Sequence, residues 1–313
     1  MSVTTMLALS EWRLPVSGGH LAGIESPSPG PDVLFIHSHG FSSMTWARVI
    51  ENLPDLHCVA LDVRGHGQSE SPLLDAQQGW RDIPRVIRGL GLKRPVLVGH
   101  DTGAFAAMCA AAAEPGLVSA VLSIDADMPF KPRVQTQADL DWAQTPEVND
   151  LVKTRFFFGD IITTPEEREQ LVQKLTEQCI GDWLLEGVDA AIEREVRRSF
   201  VPRPDGTWLH VPSVEAAVIG YRIDIDAEFY PEAALYERVV DPLYMVRYLR
   251  SSNAQPLGPY LDLADRLPNM SVYEIDGGHL AHYSHASEVA AIVRQAAYRD
   301  DPAMHESAML RRD

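Results

Sequence analysis

One short segment places a reactive side chain at a sharp turn between two elements. Residues 96–98 are apolar and predict a buried strand, and an alanine-rich helix is predicted after Gly103. The run GHDTG at residues 99–103 joins them, and its glycines permit a tight, strained turn around Asp101. A carboxylate held there could attack an electrophilic carbon and form an ester with a substrate. The alternative is a glycine-rich turn in which Asp101 only caps the helix.

The predicted secondary structure around this turn alternates between strand and helix. Apolar strands are predicted at residues 33–36, 58–62, 96–98, 118–124, 243–249 and 271–275. Helical segments separate several of them, and this alternation implies an α/β protein with a doubly wound, mostly parallel sheet. Between about residues 130 and 237 the pattern becomes helical and amphipathic instead.

Four motifs occur in an order that resembles the α/β-hydrolase superfamily. They are the turn His39-Gly40-Phe41, the pattern D-x-R-G-x-G-x-S at residues 62–69, the turn around Asp101, and Gly277-Gly278-His279. The resemblance covers about residues 11–298. It implies an α/β-hydrolase core at 1–129 and 238–298 and an inserted helical cap at 130–237. The remaining tail, residues 299–313, is expected to be disordered.

In this superfamily the sharp strand-to-helix turn is called the nucleophile elbow, and the residue at its centre indicates which branch the chain resembles. That position is usually serine in a G-x-S-x-G context, whereas this chain has Asp101. The resemblance is therefore to the Asp-nucleophile branch, which contains epoxide hydrolases, haloalkane dehalogenases and haloacetate dehalogenases. It implies an enzyme that works through an aspartyl ester and needs no cofactor.

The same resemblance implies a base and an acid that complete the catalytic set. His279, in the loop after the final strand, would activate water against the Asp101 ester. Asp125, at the end of the strand after the elbow helix, would orient His279, with Asp127 as the competing acid. The alternative is that His279 is a loop histidine without a catalytic role and that Asp125 and Asp127 only precede a helix. His282 and His285 lack a clear third ligand, so we expect solvated side chains and no metal.

Further site residues follow from the same comparison. The backbone N–H groups of Phe41 and Thr102 would form the oxyanion hole. Tyr221, in a Tyr-Arg pair near the end of the cap, resembles the phenol with which epoxide hydrolases protonate the opening ring. Tyr230 and Tyr236 are weaker candidates for a second phenol. Four residues are predicted to line an apolar substrate pocket, although most cap aromatics could simply form a core: His37, Trp142, Phe157 and Trp183.

Three enzymatic functions and one non-enzymatic function fit these residues. The leading hypothesis is an epoxide-hydrolase-like enzyme in which Asp101 opens the ring and Tyr221 protonates the oxygen. A haloalkane or haloacid dehalogenase is the alternative, although Thr102 and Phe41 replace the usual halide-binding residues. A cofactor-independent ring-cleaving dioxygenase is a further alternative, but its elbow residue is serine. The fourth is a binding module that retains the pocket without catalysis.

Composition limits the partners of the chain. A net charge of −17 argues against nucleic acid and anionic membranes, which need a basic face. The charge says little about the substrate, but the aromatic residues of the predicted cap indicate a small-molecule, apolar one. A homodimer stays open. The three cysteines are not at metal-ligand spacing and indicate a reducing compartment, so a cytoplasmic location is expected.

Overall fold

The computed structural model describes residues 9–72, 75–126, 130–182 and 185–299. Asp127, Trp183 and the end of the chain after residue 299 lie outside the described residues. The predictions that Asp127 competes as the acid, that Trp183 lines the pocket and that the tail is disordered therefore stay predictions.

An eight-stranded sheet forms the centre of the protein. Its strands are β1 (Ser10–Val16), β2 (Gly19–Ser26), β3 (Asp32–Ile36), β4 (His57–Asp62), β5 (Val96–His100), β6 (Ala120–Ile124), β10 (Leu243–Tyr248) and β11 (Met270–Ile275). The spatial order is β1-β2-β4-β3-β5-β6-β10-β11. The pairs β1–β2 and β2–β4 are antiparallel, and the strands from β4 to β11 are parallel to one another.

Helices cover both faces of this sheet, as a doubly wound architecture requires. The core helices are α1 (Ala47–Glu51), α2 (Gln78–Gly89), α3 (Thr102–Ala113), α10 (Gly258–Arg266), α11 (Ala281–Ser284) and α12 (Ala286–Ala297). Two separate clusters of buried apolar side chains lie on the two faces. All residues of β5 and β6 are buried, which explains why these strands are continuous apolar runs rather than alternating ones. The predicted fold class is confirmed.

The inserted region between β6 and β10 is mostly helical. Its helices are α4 (Arg133–Trp142), α5 (Pro146–Phe156), α6 (Pro165–Ile180), α7 (Ile192–Arg198), α8 (Val214–Val218) and α9 (Ala233–Glu237). A three-stranded antiparallel sheet, which the sequence pattern did not predict, joins β7 (Ile161–Ile162), β9 (Trp208–His210) and β8 (Phe200–Pro202). Its strands are two or three residues long, too short to show an alternating pattern. Among the described residues, no helix combines the length and the apolar character that crossing a membrane requires.

Candidate active site

The turn at Asp101 is strained, as its sequence predicted. Asp101 has φ 50° and ψ −116°, a conformation that non-glycine residues rarely adopt. A side chain at Gly103 would place its Cβ 2.5 Å from the carbonyl oxygen of Ile36 and 2.6 Å from that of His37. Gly103 therefore lets α3 approach β3 closely. Packing of the helix against the sheet holds Asp101 at the end of β5.

Two side chains hold the carboxylate of Asp101. The Ser38 hydroxyl donates to Oδ2 at 2.5 Å, and the Asn253 amide donates to Oδ1 at 3.3 Å. Ser38 is buried, and it lies in the loop after β3, whereas Asn253 lies in the loop after β10. Neither residue is among those predicted from the sequence. The signal available for Ser38 was its place next to the His39-Gly40-Phe41 turn, and for Asn253 its place just after the seventh core strand.

His279 and Asp125 form a hydrogen-bonded pair. Nδ1 of His279 lies 2.8 Å from Oδ2 of Asp125, which also accepts a hydrogen bond from the Ser251 hydroxyl at 2.5 Å. Asp125 follows β6 with a strained φ of 49°. Burial raises the pKa of the Asp125 carboxyl to about 6, although its bonds to His279 and Ser251 act in the opposite direction. The pair is arranged to orient the His279 ring and to stabilise its protonated form.

A buried histidine lies behind this pair. Nε2 of His100 donates to the carbonyl oxygen of His279 at 2.8 Å, and burial lowers the pKa of His100 well below its usual value. His100, Asp125 and His279 place possible metal-ligand atoms within 4.8 Å of one another. His100 Nε2 and His279 Nδ1 already take part in hydrogen bonds, and these bonds explain why the three side chains lie close together. His282 is not solvated as predicted, because it is fully buried against the ring of Trp46 at a centroid distance of 4.9 Å.

The loop predicted to form the oxyanion hole has a different hydrogen-bond pattern from the one expected. The Phe41 N–H donates to the Ser38 carbonyl oxygen at 3.2 Å and closes a turn. Thr102 is the first residue of α3, where a backbone N–H has no acceptor within the helix. The Thr102 hydroxyl accepts the N–H of His39 at 2.9 Å and so ties the loop to the elbow. Of the two predicted donors, only the Thr102 N–H lies outside such a backbone turn.

Two adjoining cavities lie between the sheet and the inserted region. The first, which we call the catalytic cavity, has a volume of about 410 Å³ and is lined by Asp101, His279, Ser38, Asn253 and Tyr236, among others. The second, which we call the cap cavity, has a volume of about 530 Å³. Six of the described residues line both: His39, Phe41, Leu140, Phe156, Leu185 and Tyr221. Both volumes suit a small organic ligand.

The predicted substrate-contacting residues divide between cavity and core. Tyr221 borders both cavities, and the largely exposed Trp142 borders the cap cavity. His37 does not line either cavity, because its ring nitrogens bond the Ser38 carbonyl oxygen and the Val63 N–H in the core. Phe157 does not line them either. It ends α5 and packs among other apolar side chains of the cap, with Lys174 over its ring.

The D-x-R-G-x-G-x-S motif forms a buried hydrogen-bond network rather than part of the cavities. Asp62 accepts the N–H groups of Ser43 at 2.7 Å and Gln68 at 2.9 Å, and it forms an ion pair with Arg198 of α7. Arg64 forms a buried ion pair with Asp82. The motif therefore joins the core to the inserted region.

The strained Asp101 turn and its position beside the His279–Asp125 pair agree with a comparison with known protein families. Residues 33–292 match the Alpha/beta hydrolase family. The chain belongs to this family. Alpha/beta hydrolases act on small-molecule substrates.

Individual alpha/beta hydrolases similar to this one have different activities. A 2-(acetamidomethylene)succinate hydrolase of Mesorhizobium japonicum is 35% identical over 118 residues, which is 37% of this chain and 41% of that protein. A haloalkane dehalogenase of the same organism is 28% identical over 163 residues, which is 51% of this chain and 48% of the dehalogenase. The chain thus spans less than half the length of either relative.

Solved structures show the same fold. An epoxide hydrolase from Bacillus megaterium, solved as a mutant in complex with its diol product, superposes with a TM-score of 0.65 over 91% of this chain and 99% of that chain. The two sequences are 21% identical, so the likeness concerns the fold alone.

Proposed function

We propose that this alpha/beta hydrolase converts epoxides to diols through an ester on Asp101. The observation that carries the proposal is that the elbow carboxylate shares one cavity with His279 and the phenol of Tyr221. A carboxylate attacks a saturated carbon and leaves an ester, which must then be hydrolysed by water. The arrangement supplies one group for each of these steps.

In the first step, Oδ1 of Asp101 attacks a carbon of the epoxide. Oδ1 suits the attack because the hydrogen bond that it accepts from Asn253 is long, whereas Oδ2 accepts a short one from Ser38. The carbon–oxygen bond of the ring breaks, and the oxygen takes a proton from Tyr221. The product is a hydroxyalkyl ester of Asp101 and a Tyr221 phenolate. Tyr236 also lines the catalytic cavity and supplies a second phenol near the oxygen.

In the second step, His279 removes a proton from water, and the resulting hydroxide attacks the ester carbonyl carbon of Asp101. Negative charge develops on Oδ2, where the Ser38 hydroxyl already donates and the Thr102 N–H at the start of α3 lies nearby in the chain. Asp125 stabilises the protonated His279. Collapse of the intermediate releases the diol and restores the Asp101 carboxylate, and the proton on His279 returns to the Tyr221 phenolate.

Dehalogenation is the second candidate, since the Asn253 amide donates beside Asp101 and a similar protein is a haloalkane dehalogenase. Halide release needs N–H donors around the leaving ion. Trp80 also lines the catalytic cavity, but its indole N–H donates to Gln77 at 2.8 Å. The second phenol, from Tyr236, favours the epoxide reaction, and so does the hydrogen bond that already occupies the Trp80 indole N–H.

The test is intact and peptide mass spectrometry of a His279→Gln variant after incubation with mixed epoxides and halogenated acids. Without its base, the enzyme should accumulate an ester on the peptide that contains Asp101. An increase equal to the whole epoxide mass supports ring opening. An increase equal to the substrate minus hydrogen halide supports dehalogenation instead.

The matched control is the double variant His279→Gln/Asp101→Asn, which should form no adduct. Adducts that persist in the double variant would show that another residue is alkylated. Failure of His279→Gln to form any adduct would count against Asp101 as nucleophile. Oxygen uptake would then test the dioxygenase alternative.

A further inference from the structure

We propose that the cap cavity binds the end of the substrate remote from the epoxide, and that Glu195 hydrogen-bonds an uncharged oxygen acceptor there. The substrate class is thus an apolar epoxide that carries a carbonyl, ether or hydroxyl oxygen at its far end. This inference rests on the proposed function for the identity of the reacting group, but the binding of the far end can be tested without turnover.

The two cavities are placed to hold one molecule. They share six lining residues, including Phe41 and Tyr221, so a ligand that starts at Asp101 can pass between these side chains into the cap cavity. The cap cavity is lined mainly by apolar side chains of the inserted region, such as Val152, Leu175 and Ile192. Burial of an alkyl or aromatic body against them is favourable.

Glu195 is a carboxyl group of this cavity whose hydrogen bonding is incomplete among the described residues. Its exposed fraction is 4%, it lines the cap cavity, and its Oε2 accepts the Ser42 hydroxyl at 2.8 Å. Its Oε1 is buried and has no hydrogen-bond partner among the described residues. A buried polar atom without a partner costs about 1–3 kcal/mol, and a ligand that bonds it removes this cost.

The protonation state of Glu195 determines which ligand group it can bind. Burial raises the pKa of its carboxyl to about 8, with the hydrogen bond from Ser42 opposing this and the nearby Asp62 carboxylate adding to it. The acid therefore carries its proton at neutral pH. Because Oε2 accepts from Ser42, the proton lies on Oε1, where it can be donated to an oxygen acceptor of the ligand.

Several other polar side chains around the cap cavity have protein partners, although Nδ1 of His39 is also buried without a hydrogen-bond partner among the described residues. Lys131 pairs with Asp139 at 3.2 Å, and Nδ1 of His210 bonds the Phe157 carbonyl oxygen at 3.1 Å. The Ser199 hydroxyl donates to the backbone of Glu195. Glu195 is thus a carboxyl group whose hydrogen bonding a ligand in the cap cavity would complete.

The experiment measures binding by calorimetry with two matched ligands. Each is a phenylalkyl chain without an epoxide, and the chain ends in a methyl ketone in one and in an isopropenyl group of the same shape in the other. We expect the wild-type protein to bind the ketone about tenfold more tightly, as one hydrogen bond to a buried donor allows. Glu195→Leu should abolish this preference, and Glu195→Gln, whose amide can still donate, should keep part of it.

Glu193→Leu is the matched control, because Glu193 lies on the same helix and pairs with Arg197 on the exposed side. It should leave the ketone preference unchanged. Comparing the two ligands within each variant cancels any general effect of a substitution on folding. Equal binding of both ligands by the wild type, or no binding of either, would overturn the proposal. So would tighter binding of a chain that ends in a primary amine, since this would show an ionised Glu195.

A turnover arm separates this proposal from the proposed function. The same two end groups are placed on terminal epoxides, and kcat/KM is measured for each. A ketone preference in binding without any epoxide turnover would leave the cap-cavity site standing and would refute the epoxide reaction. Turnover of both epoxides at equal kcat/KM, with equal binding, would refute the Glu195 site alone.

Discussion

At the scale of single residues, the Ser38 hydroxyl is a hydrogen-bond donor to Asp101 in the loop where the sequence predicted the Phe41 N–H as an oxyanion donor. Its hydroxyl donates to Oδ2 of Asp101 at 2.5 Å, whereas the Phe41 N–H bonds the Ser38 carbonyl oxygen. In the proposed reaction, Oδ2 becomes the carbonyl oxygen of the ester and then carries the developing negative charge. A donor already at hydrogen-bond distance from that atom needs no reorganisation.

Ser38→Ala should therefore slow ester hydrolysis by about 100-fold, because one oxyanion donor is lost, and should slow ester formation much less. Rapid-mixing mass spectrometry of the Asp101 peptide would measure the two steps separately. Ser252→Ala is the control, since Ser252 also lines the catalytic cavity but is exposed. Equal loss in both steps would mean that Ser38 only positions Asp101.

The buried acid Asp125 is a second feature at this scale, because its ionised form is unfavourable for folding. Burial raises its pKa to about 6, above the value of about 4 expected in the unfolded chain. The folded state then holds the proton more tightly than the unfolded state. The stability from this group is present at low pH and is lost as the pH rises through about 6.

Asp125→Asn should thus lower activity and raise stability together. The variant stays uncharged at all pH values, so its free energy of unfolding at pH 8 should exceed that of the wild type by about 3 kcal/mol, with little difference at pH 4. Its kcat should fall by about 10⁴, because a neutral amide no longer stabilises protonated His279.

Urea unfolding at the two pH values and steady-state kinetics would check these outcomes. Asp262→Asn, on the exposed side of α10, is the control and should leave both quantities unchanged. A loss of stability at pH 8 in Asp125→Asn would contradict the account.

At the scale of elements, the close approach of α3 to the sheet fixes Asp101, the proposed nucleophile. Gly103 lies in the first turn of α3, against the backbone at the end of β3, and Asp101 is strained between β5 and this helix. The strain of one residue persists because the strand and helix around it are fully packed. The position of Asp101 is therefore determined by the contact between the elements.

Gly103→Ala should destabilise the protein by about 1–3 kcal/mol and reduce kcat more than it raises KM, because the added methyl group meets backbone oxygens that cannot rotate away. Thermal unfolding and kinetics would measure both effects. Gly258→Ala at the start of α10 is the control, since its added Cβ meets no atom within 4 Å. Unchanged kinetics in Gly103→Ala would show that the position of Asp101 does not depend on the close approach of α3 to β3.

At the scale of the whole molecule, the inserted region is tied to the core by a buried ion pair. Nη2 of Arg198 lies 2.8 Å from Oδ2 of Asp62, and both side chains are at most 5% exposed. Burial alone would raise the pKa of Asp62, but the Arg198 guanidinium holds it below its usual value. The Arg198 carbonyl oxygen also accepts the side-chain amide of Gln68 at 2.9 Å.

Arg198→Met should reduce the free energy of unfolding by about 3–5 kcal/mol at neutral pH, because it leaves the Asp62 carboxylate buried without its partner. The pKa of Asp62 is depressed in the wild type, so the pair stabilises the fold above about pH 4 and this contribution is lost as the pH falls below that. The difference between variant and wild type should therefore shrink in acid.

Arg197→Met is the control, because Arg197 pairs with Glu169 and Glu193 at the surface, where such pairs contribute about 0–1 kcal/mol. Urea unfolding between pH 3 and pH 7 would check the prediction. Equal effects of the two arginine substitutions would show that the buried pair does not join the two regions.

The fold class and the order of the core elements follow from local patterns in the amino-acid sequence. Continuous apolar runs such as 96–98 predicted buried parallel strands, because a strand covered on both faces has no polar side. Glycines on both sides of Asp101 predicted a strained turn, because few other residues allow such a turn. The motifs around His39, Asp101 and His279 placed the chain among the α/β hydrolases before any distance was known. These signals are local, so they can be detected in the linear chain.

Which side chains meet depends on packing between segments that are far apart in the chain. Ser38 and Asp101 are 63 residues apart, and Asn253 and Asp101 are 152 residues apart, so no local pattern joins them. The cap sheet, the burial of His282 and the placement of His37 and Phe157 outside the cavities also depend on packing between distant segments. Glu195 looks like an ordinary helix carboxylate in the sequence. Its raised pKa and its unpartnered Oε1 follow from burial beside Ser42 and the cap cavity. These properties depend on desolvation and on contacts between distant residues, and neither can be derived from a linear sequence pattern.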